Sequence, residues 1–190
     1  MSSTERNTDQ VAAPRVLELG CGFNKTRGAI GVDIIDGSDA DIIHDLNAFP
    51  YPFVDSEWDR ILCRDVLEHV DDFVGTVEEI WRIARPAALV EVSGPFMSSV
   101  NFFSDPTHKR AFTSKTFDYF IEGSRAFMFS YSKARFQLVA CEYDREERSK
   151  RRGPHRWLLD WANRNKEHYE SRFAFIYPLY QIFFDLRVVK

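Results

Sequence analysis

The chain has 190 residues, 44% of them hydrophobic, and a formal net charge of −4. That length and composition suit one domain with a sizeable core. The net negative charge argues against general binding to nucleic acid or to an anionic membrane surface. The longest apolar run, from Phe173 to Phe184, is short and contains Pro178 and Gln181. We therefore predict no transmembrane segment.

The first residues are polar and lack the apolar core of a signal peptide. We predict a disordered tail at residues 1–13 and a single domain at residues 14–190. The three cysteines, Cys21, Cys63 and Cys141, are widely spaced and odd in number. They are typical of reduced thiols, which indicates a cytoplasmic location.

Strand and helix signals alternate through the first half of the chain, as in a mostly parallel sheet covered by helices. Strands are predicted at about 15–19, 29–33, 40–43, 58–64 and 88–94. The clearest helix follows Asp71 and Asp72, which can cap it, and ends at Arg85-Pro86. Residues 95–113 lack periodicity and follow the end of a strand, so they are predicted to be a loop belonging to the site.

The last third of the chain has two further strand patterns, Phe136 to Tyr143 and Tyr180 to Val188, which we pair antiparallel at the sheet edge. A short helix is expected after Ser114. A longer amphipathic helix is predicted from about Pro154 to Ser171. Before it lies a basic run, Arg145 to Arg156. This run is usually a solvated loop, but beside Trp157 and Trp161 it could also make peripheral contact with a membrane.

The pattern from Val16 to Asp33 predicts a strand, a glycine turn, a second strand and an acid at its end. Glycines at Gly20 and Gly22 let backbone N–H groups approach a ligand, and a carboxylate at Asp33 can accept two hydrogen bonds from a ribose diol. A plain tight turn beside a surface acid is the other interpretation. A dinucleotide fingerprint is disfavoured, because its third glycine position is Lys25 and the acid comes too early.

Four segments, at residues 18–22, 31–33, 44–47 and 67–70, resemble the ordered motifs of class I S-adenosylmethionine-dependent methyltransferases. The resemblance covers roughly residues 15–95 by motif and the rest by pattern. It implies an α/β, Rossmann-like three-layer sandwich with a mostly parallel sheet and an antiparallel C-terminal hairpin. It also implies S-adenosyl-L-methionine as the cofactor. Glu18 and the backbone of Gly20, Cys21 and Gly22 would hold the methionine end.

The same resemblance implies roles for residues that follow the next strands. Asp33 would bind the ribose hydroxyls. Asp45 would accept a hydrogen bond from the adenine amino group, and Leu46 would pack against the ring. Arg64 and Asp65 would lie near the sulfonium. Two simpler roles remain open: Asp45 could only shape a turn, and Asp65 could only begin a helix.

Seven residues, Phe23 to Ala29, connect the first two strands, where the family normally has a crossover helix. A helix of that length covers only ~10 Å, whereas an extended segment reaches ~23 Å and can return along a strand of ~17 Å. We therefore predict that the first crossover helix is missing. Lys25 or Arg27 would then supply positive charge for the cofactor carboxylate. A small subgroup associated with cell-surface glycan biosynthesis has a similar Gly-Cys-Gly-x-Asn-Lys run.

Without that helix, one face of the sheet is left uncovered. Either the aromatic C-terminal helix covers the face, or the face is a partner surface, for example in a homodimer.

Transfer of a methyl group to a hydroxyl needs positioning and removal of a proton. His108 on the 95–113 loop is our candidate base, because histidine titrates near neutral pH. His69, Lys109 and Arg110 are predicted on the substrate side, where the two cations could recognise an anionic acceptor. A divalent metal held by Asp65, Glu68, His69 and His108 is a weaker alternative, loosely similar to metal-dependent enzymes that modify small-RNA 3′ ends. We predict no metal.

The sequence thus predicts a methyltransferase that modifies an oxygen of a saccharide or other small molecule. A non-catalytic cofactor-binding or partner-binding domain is the first alternative. A metal-dependent RNA 2′-O-methyltransferase is the second, and it is disfavoured by the acidic composition.

Overall fold

The computed structural model describes residues 13–150 and 152–190. The predicted tail lies outside the described residues except for Ala13. The strands are β1 Val16–Leu19, β2 Ile30–Asp33, β3 Ile42–Ile43, β4 Trp58–Arg64, β5 Ala84–Pro95, β6 Phe136–Tyr143 and β7 Gln181–Val188. The helices are α1 Phe73–Ile83, α2 Val100–Ser104, α3 Gly153–Arg164 and α4 Lys166–Arg172. Among the described residues, no helix has both the length and the apolar character needed to cross a membrane.

The seven strands form one sheet in the order β3-β2-β1-β4-β5-β7-β6. Strand β7 is antiparallel to both of its neighbours, and the other neighbouring pairs are parallel. The predicted mostly parallel sheet with an antiparallel C-terminal hairpin is therefore confirmed. The strand order reverses between β1 and β4. In such sheets ligands bind outside the carboxyl ends of the strands at this reversal.

Helix α1 begins where the sequence predicts it. The Asp72 side chain accepts a hydrogen bond from the Gly75 N–H at 2.9 Å, which caps the first turn. Val77, Ile80 and Ile83 recur at helical spacing and are buried against the sheet. The helix ends where the backbone becomes extended at Ala84, the first residue of β5. This capped helix covers the strands that lead into the site.

The C-terminal helices pack on the same face of the sheet as α1. Phe184 of β7 lies 4.9 Å from Phe117, ring centre to ring centre, and Phe117 lies 5.6 Å from Phe73 of α1. Tyr143 of β6 pairs with Ile182, which shares a face with Phe184 because the two are two residues apart. Tyr169 of α4 packs on Tyr143 at 5.3 Å. The aromatic C-terminal segment therefore does not cover the opposite face.

Among the described residues, positions 20–29 between β1 and β2 form turns and contain no helix. On the face opposite α1, charged side chains pair across the strands. Arg60 of β4 binds Glu91 of β5 through two nitrogens at 2.6 and 2.8 Å. Arg145 binds Asp185 of β7 in the same forked way, at 2.9 Å for both contacts. Ion pairs and loops thus border this side of the sheet in the described residues, and the absence of the family's first crossover helix stays a prediction.

Five predicted elements differ in extent. Strand β5 begins at Ala84 and not at about 88, and the predicted loop 95–113 contains the short helix α2. The helix expected from Pro154 to Ser171 is two helices, because Asn165 leaves the helical conformation and its side chain bonds to the Trp161 carbonyl. The helix expected after Ser114 is only a 3₁₀ turn at Asp118–Phe120. The strand expected at 40–43 shortens to Ile42–Ile43.

The packing of β7 on Phe117, which in turn contacts α1, leads to a stability prediction. Replacing Phe184, which is 1% exposed, by alanine removes the β7 ring of this contact. The free energy of unfolding should fall by about 3–5 kcal/mol. Phe175→Ala is the matched control, since that ring is 73% exposed, and its effect should stay within about 0.5 kcal/mol. Urea denaturation followed by circular dichroism measures both, and equal losses would contradict the assigned packing.

Candidate active site

A cavity of about 130 Å³ lies at the carboxyl ends of β1, β2 and β3. It is lined by Gly20, Asp33, Ile34, His44, Asp45, Leu46, Asn47, Val66, His69 and Val70. The cavity therefore lies at the edge of the sheet where the strand order reverses. Residues from all four sequence motifs line it. Its walls are apolar with a few polar groups, as in most small-molecule sites.

The turn after β1 requires glycine at Gly20. Its φ is +69°, and its N–H bonds to the Val32 carbonyl at 2.8 Å. A Cβ atom there would lie 2.3 Å from a methyl carbon of Val66, so no side chain fits. Gly22 also has a positive φ, of 53°, but a Cβ there would meet no atom within 4 Å. The backbone at Gly22 thus borders open space in which a ligand can lie.

Asp33 is buried at the end of β2 and accepts two backbone hydrogen bonds. One oxygen accepts from Gly22 N–H at 2.8 Å, and the other accepts from Ile35 N–H at 2.9 Å. Each carboxylate oxygen has two lone pairs, so each can accept one more hydrogen bond. Asp33 therefore fixes the turn and can also accept both hydroxyls of a diol in the cavity. The residues present fit a nucleoside.

Asp45 both shapes a turn and lines the cavity. One of its oxygens accepts from the backbone and side-chain nitrogens of Asn47, at 2.9 and 3.0 Å. The Asn47 side-chain oxygen in turn accepts from Asp71 N–H at 2.7 Å, just before α1. Leu46 is buried between them, and its carbonyl accepts from the Tyr51 hydroxyl at 3.0 Å. These bonds hold the β3 loop beside the Gly20 turn.

Glu18 stabilises the connection between β1 and β2. Its carboxylate is 3% exposed and accepts from Thr26 N–H at 2.6 Å. Arg64, at the end of β4, donates to the Thr26 hydroxyl at 3.2 Å and lies 3.7 Å from Glu18. Both residues stand at the carboxyl edge, as expected, but their side chains bind the loop.

Lys25, which we expected beside a cofactor carboxylate, is paired with Asp41. Its ammonium contacts both oxygens of Asp41, at 2.8 and 2.7 Å, and Asp41 also accepts from Gly31 N–H. The Lys25 charge is therefore already paired in this structure, and its role toward a cofactor carboxylate stays a prediction. The Cys21 thiol packs against Gly31, where a Cβ would lie 2.7 Å from the sulfur. The Cys21 backbone N–H bonds to the Val32 carbonyl at 3.2 Å, so Cys21 shapes the turn.

Asp65 follows β4 with a φ of +48°, and its carboxylate accepts from the Gln181 side chain at 2.9 and 3.1 Å. Partial desolvation in this position raises the pKa of the Asp65 carboxyl. Gln181 begins β7, far away in sequence, and no sequence motif pointed to it. The contact shows how the C-terminal hairpin reaches the carboxyl edge and fixes an acidic side chain there.

Beside the cavity, Glu68, His69 and His108 form a cluster whose ligand-type atoms lie within 4.8 Å of one another. Glu68 is 1% exposed, and one of its oxygens lies 3.9 Å from His108 Nε2. Its other oxygen has no hydrogen-bond partner among the described residues. Burial raises the pKa of Glu68 to about 8. The structure thus brings His108 from the 95–113 loop against the 67–70 motif.

Two residues without a predicted role orient this cluster. Thr107 donates its hydroxyl proton to Asp105 at 2.6 Å, and its oxygen lies 2.9 Å from His69 Nδ1. Asp105 also accepts from Thr107 N–H, which makes a local turn. The Asp-x-Thr spacing is the signal that could have identified this turn.

Lys109 and Arg110, which are predicted on the substrate side, both have partners within the protein. Lys109 is paired with Asp71 at 2.5 Å. The Arg110 guanidinium donates to the carbonyls of Leu67 and Val70 at 2.8 and 2.6 Å, and to the Asp71 carbonyl at 3.2 Å. It therefore holds the 67–71 turn in place, and with it the cluster.

Comparison with known proteins identifies a matching family model and solved structures with a similar fold. Residues 17–91 match a family model described as a methyltransferase domain. A SAM-dependent methyltransferase from Archaeoglobus fulgidus is 18% identical with a TM-score of 0.60, over 93% of this chain and 86% of that one. An S-adenosylmethionine-dependent methyltransferase from Mesorhizobium loti is 14% identical with a TM-score of 0.52, over 93% and 92%.

The [4+2]-cyclase SpnF also shares the fold, with 12% identity and a TM-score of 0.55 over 93% of this chain and 75% of that one. At these identities the likeness shows the fold alone. No curated protein sequence matches the chain significantly.

The three carbonyl contacts of Arg110 lead to a test of its structural role. Arg110→Ala leaves those carbonyls without their charged donor and should lower the free energy of unfolding by about 2–4 kcal/mol. Lys109→Ala is the adjacent control; it removes a surface ion pair and should cost no more than about 1 kcal/mol. Urea denaturation of both variants measures the difference. A larger loss for Lys109→Ala than for Arg110→Ala would refute the assignment.

Proposed function

We propose that this protein methylates a hydroxyl oxygen of a saccharide or another small molecule. The fold, which is similar to that of class I S-adenosylmethionine-dependent methyltransferases, and the match of residues 17–91 to a methyltransferase domain support this proposal. The fold implies S-adenosyl-L-methionine as the methyl donor. The observation that carries the proposal is the cavity in which Asp33, Asp45 and the Gly20 turn meet.

The cavity supports a binding mode for the adenosine half of the cofactor. The ribose diol would donate to the two Asp33 oxygens, each of which already accepts one backbone N–H and retains a lone pair. The adenine amino group would donate to the Asp45 oxygen that Asn47 leaves unused. Leu46, which lies between these acids on the cavity wall, would pack against the ring.

The methionine end would lie over the glycine turn. Open space borders Gly22, and the backbone there is held by Asp33. The sulfonium would then lie near the carboxyl ends of β1 and β4, where the Asp65 carboxylate favours a positive charge. Glu18 and Arg64 support this region indirectly through Thr26.

The reaction is an in-line displacement, in which the acceptor oxygen forms a bond to the methyl carbon as the carbon–sulfur bond breaks. The electron pair remains on sulfur, and the hydroxyl proton must leave. His108 is the catalytic residue of this proposal. It lies on the loop that follows β5 beside His69, which lines the cavity, and its Nε2 points toward carboxylates and away from the Phe102 carbonyl. In this proposal the acceptor hydroxyl would lie beside the pair.

The charge distribution favours a small acceptor over RNA. Three cations of the 145–156 run are paired with acids: Arg145 with Asp185, and Arg148 and Arg156 with Asp160. These guanidinium groups are therefore already engaged and do not form a free strip for a phosphate backbone. SpnF, whose name describes a [4+2]-cyclase, shows that this fold is also used for a reaction other than methyl transfer.

Calorimetric titration with S-adenosylhomocysteine tests the cofactor site. We expect one site per chain, and we expect Asp33→Asn to weaken binding by at least about tenfold, because one charge-assisted bond contributes about 1.5–3 kcal/mol. Asp36→Asn is the control, since Asp36 is exposed three residues away. Circular dichroism verifies that both variants fold. An affinity unchanged in Asp33→Asn would show that the ribose binds elsewhere.

Release of S-adenosylhomocysteine in the presence of neutral and acidic sugars tests the reaction. We expect turnover with a sugar hydroxyl and a loss of about 10²-fold or more in kcat for His108→Ala, with cofactor affinity retained. Cofactor binding without turnover on any sugar or other small hydroxyl compound would favour the non-catalytic alternative.

A further inference from the structure

With the Glu68 carboxyl ionised and both imidazoles neutral, the Glu68, His69 and His108 cluster presents only hydrogen-bond acceptors to its own centre. His108 Nδ1 lies 3.1 Å from the Phe102 carbonyl oxygen, which can only accept. Nδ1 of His108 therefore carries the ring proton when the imidazole is neutral. The lone pair is then on Nε2, the atom that faces Glu68 at 3.9 Å and Asp105 at 3.8 Å.

The same reasoning fixes the tautomer of His69. The Thr107 hydroxyl has one proton, and it is donated to the Asp105 carboxylate at 2.6 Å. Its oxygen can then only accept from His69 Nδ1, at 2.9 Å. The lone pair of His69 is therefore on Nε2. In both imidazoles Nδ1 is hydrogen-bonded to an oxygen. Metal-binding histidines commonly have such a bond on the nitrogen that does not bind the metal, and it fixes the orientation of the ring.

The burial of Glu68 is a second observation, independent of the histidine tautomers. Its side chain is buried, with only 1% accessible to solvent, and one oxygen has no hydrogen-bond partner among the described residues. A buried carboxylate without a donor is costly, and such groups are normally paired or coordinate a metal. The nearest histidines offer lone pairs and not protons in the tautomers that their outer bonds select.

We propose that Glu68, His69 and His108 bind a divalent first-row transition-metal ion, with one carboxylate oxygen and two Nε2 atoms as ligands. This departs from the expectation of no metal. Two imidazoles and one carboxylate suit ions such as Zn²⁺ and Mn²⁺ and leave coordination positions open. Ligand atoms of a tetrahedral ion are about 3.3 Å apart, given bonds of about 2.0–2.1 Å, so atoms now within 4.8 Å would move together only slightly.

The role of the ion rests on the proposed function. His69 also lines the cavity, so an ion bound here has its open positions toward the acceptor side. An acceptor hydroxyl bound to the ion would lose its proton to solvent water more readily, because a bound cation stabilises the alkoxide. The alkoxide oxygen would then attack the methyl carbon. With the ion bound, His108 would act on the acceptor as a metal ligand, in place of accepting the hydroxyl proton itself.

Metal binding is tested on the full-length, tag-free chain after treatment with EDTA and its removal. Titration with Zn²⁺, and separately with Mn²⁺, should show one site per chain for at least one ion. Glu68→Gln and His108→Ala should each weaken the affinity by at least about tenfold. His155→Ala is the matched control, because His155 is an exposed histidine that bonds to Tyr177, and it should bind the ion as the parent does.

Cobalt absorption gives a second readout that does not depend on activity. Co²⁺ added to the parent chain should produce visible d–d bands that are lost in Glu68→Gln, while circular dichroism shows the variant folded. Absence of a saturable site for Zn²⁺ and Mn²⁺, or equal affinities in Glu68→Gln, His108→Ala and His155→Ala, overturns the proposal. Metal binding in a chain that does not bind S-adenosylhomocysteine would support the metal site and contradict the proposed function.

Discussion

The short connection between β1 and β2 constrains the rest of this structure. Residues 20–29, all of them described, return along the first strand as turns, so no helix of their own holds them in place. Two buried carboxylates hold them instead, because Glu18 accepts from Thr26 N–H and Asp33 accepts from Gly22 N–H. Since both acids stand at the carboxyl edge of the sheet, the groups that stabilise the loop also shape the cavity. Stability and ligand binding are therefore coupled at Asp33.

The same constraint explains the unequal faces of the sheet. The face that carries α1 also receives the aromatic side chains of the C-terminal segment, which pack as one continuous core. The other face has forked Arg–carboxylate pairs across neighbouring strands, such as Arg60 with Glu91. These pairs satisfy charged groups on a half-exposed surface, where hydrophobic residues would need a covering layer. The core thus depends on one face, and Gln181, at the start of β7, connects the C-terminal hairpin to the site through Asp65.

The parts of the fold that follow from local sequence patterns could be predicted. The α1 helix has a capping acid and a 3.6-residue period, and β7 alternates along its length, so both were found. Asp33 and the Gly20 turn also lie at the carboxyl edge, as predicted. Their positions could be predicted because glycines or an acid directly after a short apolar run indicate the end of a strand. The partners of the cations could not be predicted. Lys25 binds Asp41, and Arg110 binds three carbonyls. In both cases the conformation of a loop determines which acceptor lies close to the cation.

The proposed function depends above all on the adenosine of the methyl donor lying in the cavity beside Asp33 and Asp45. A crystal structure of the chain with S-adenosylhomocysteine is the decisive test. We expect ribose hydroxyls within hydrogen-bond distance of both Asp33 oxygens, with the adenine against Leu46. A ligand bound at another place, such as the apolar groove between Trp157, Trp161 and Ile176, with Asp33 out of contact, would refute this placement.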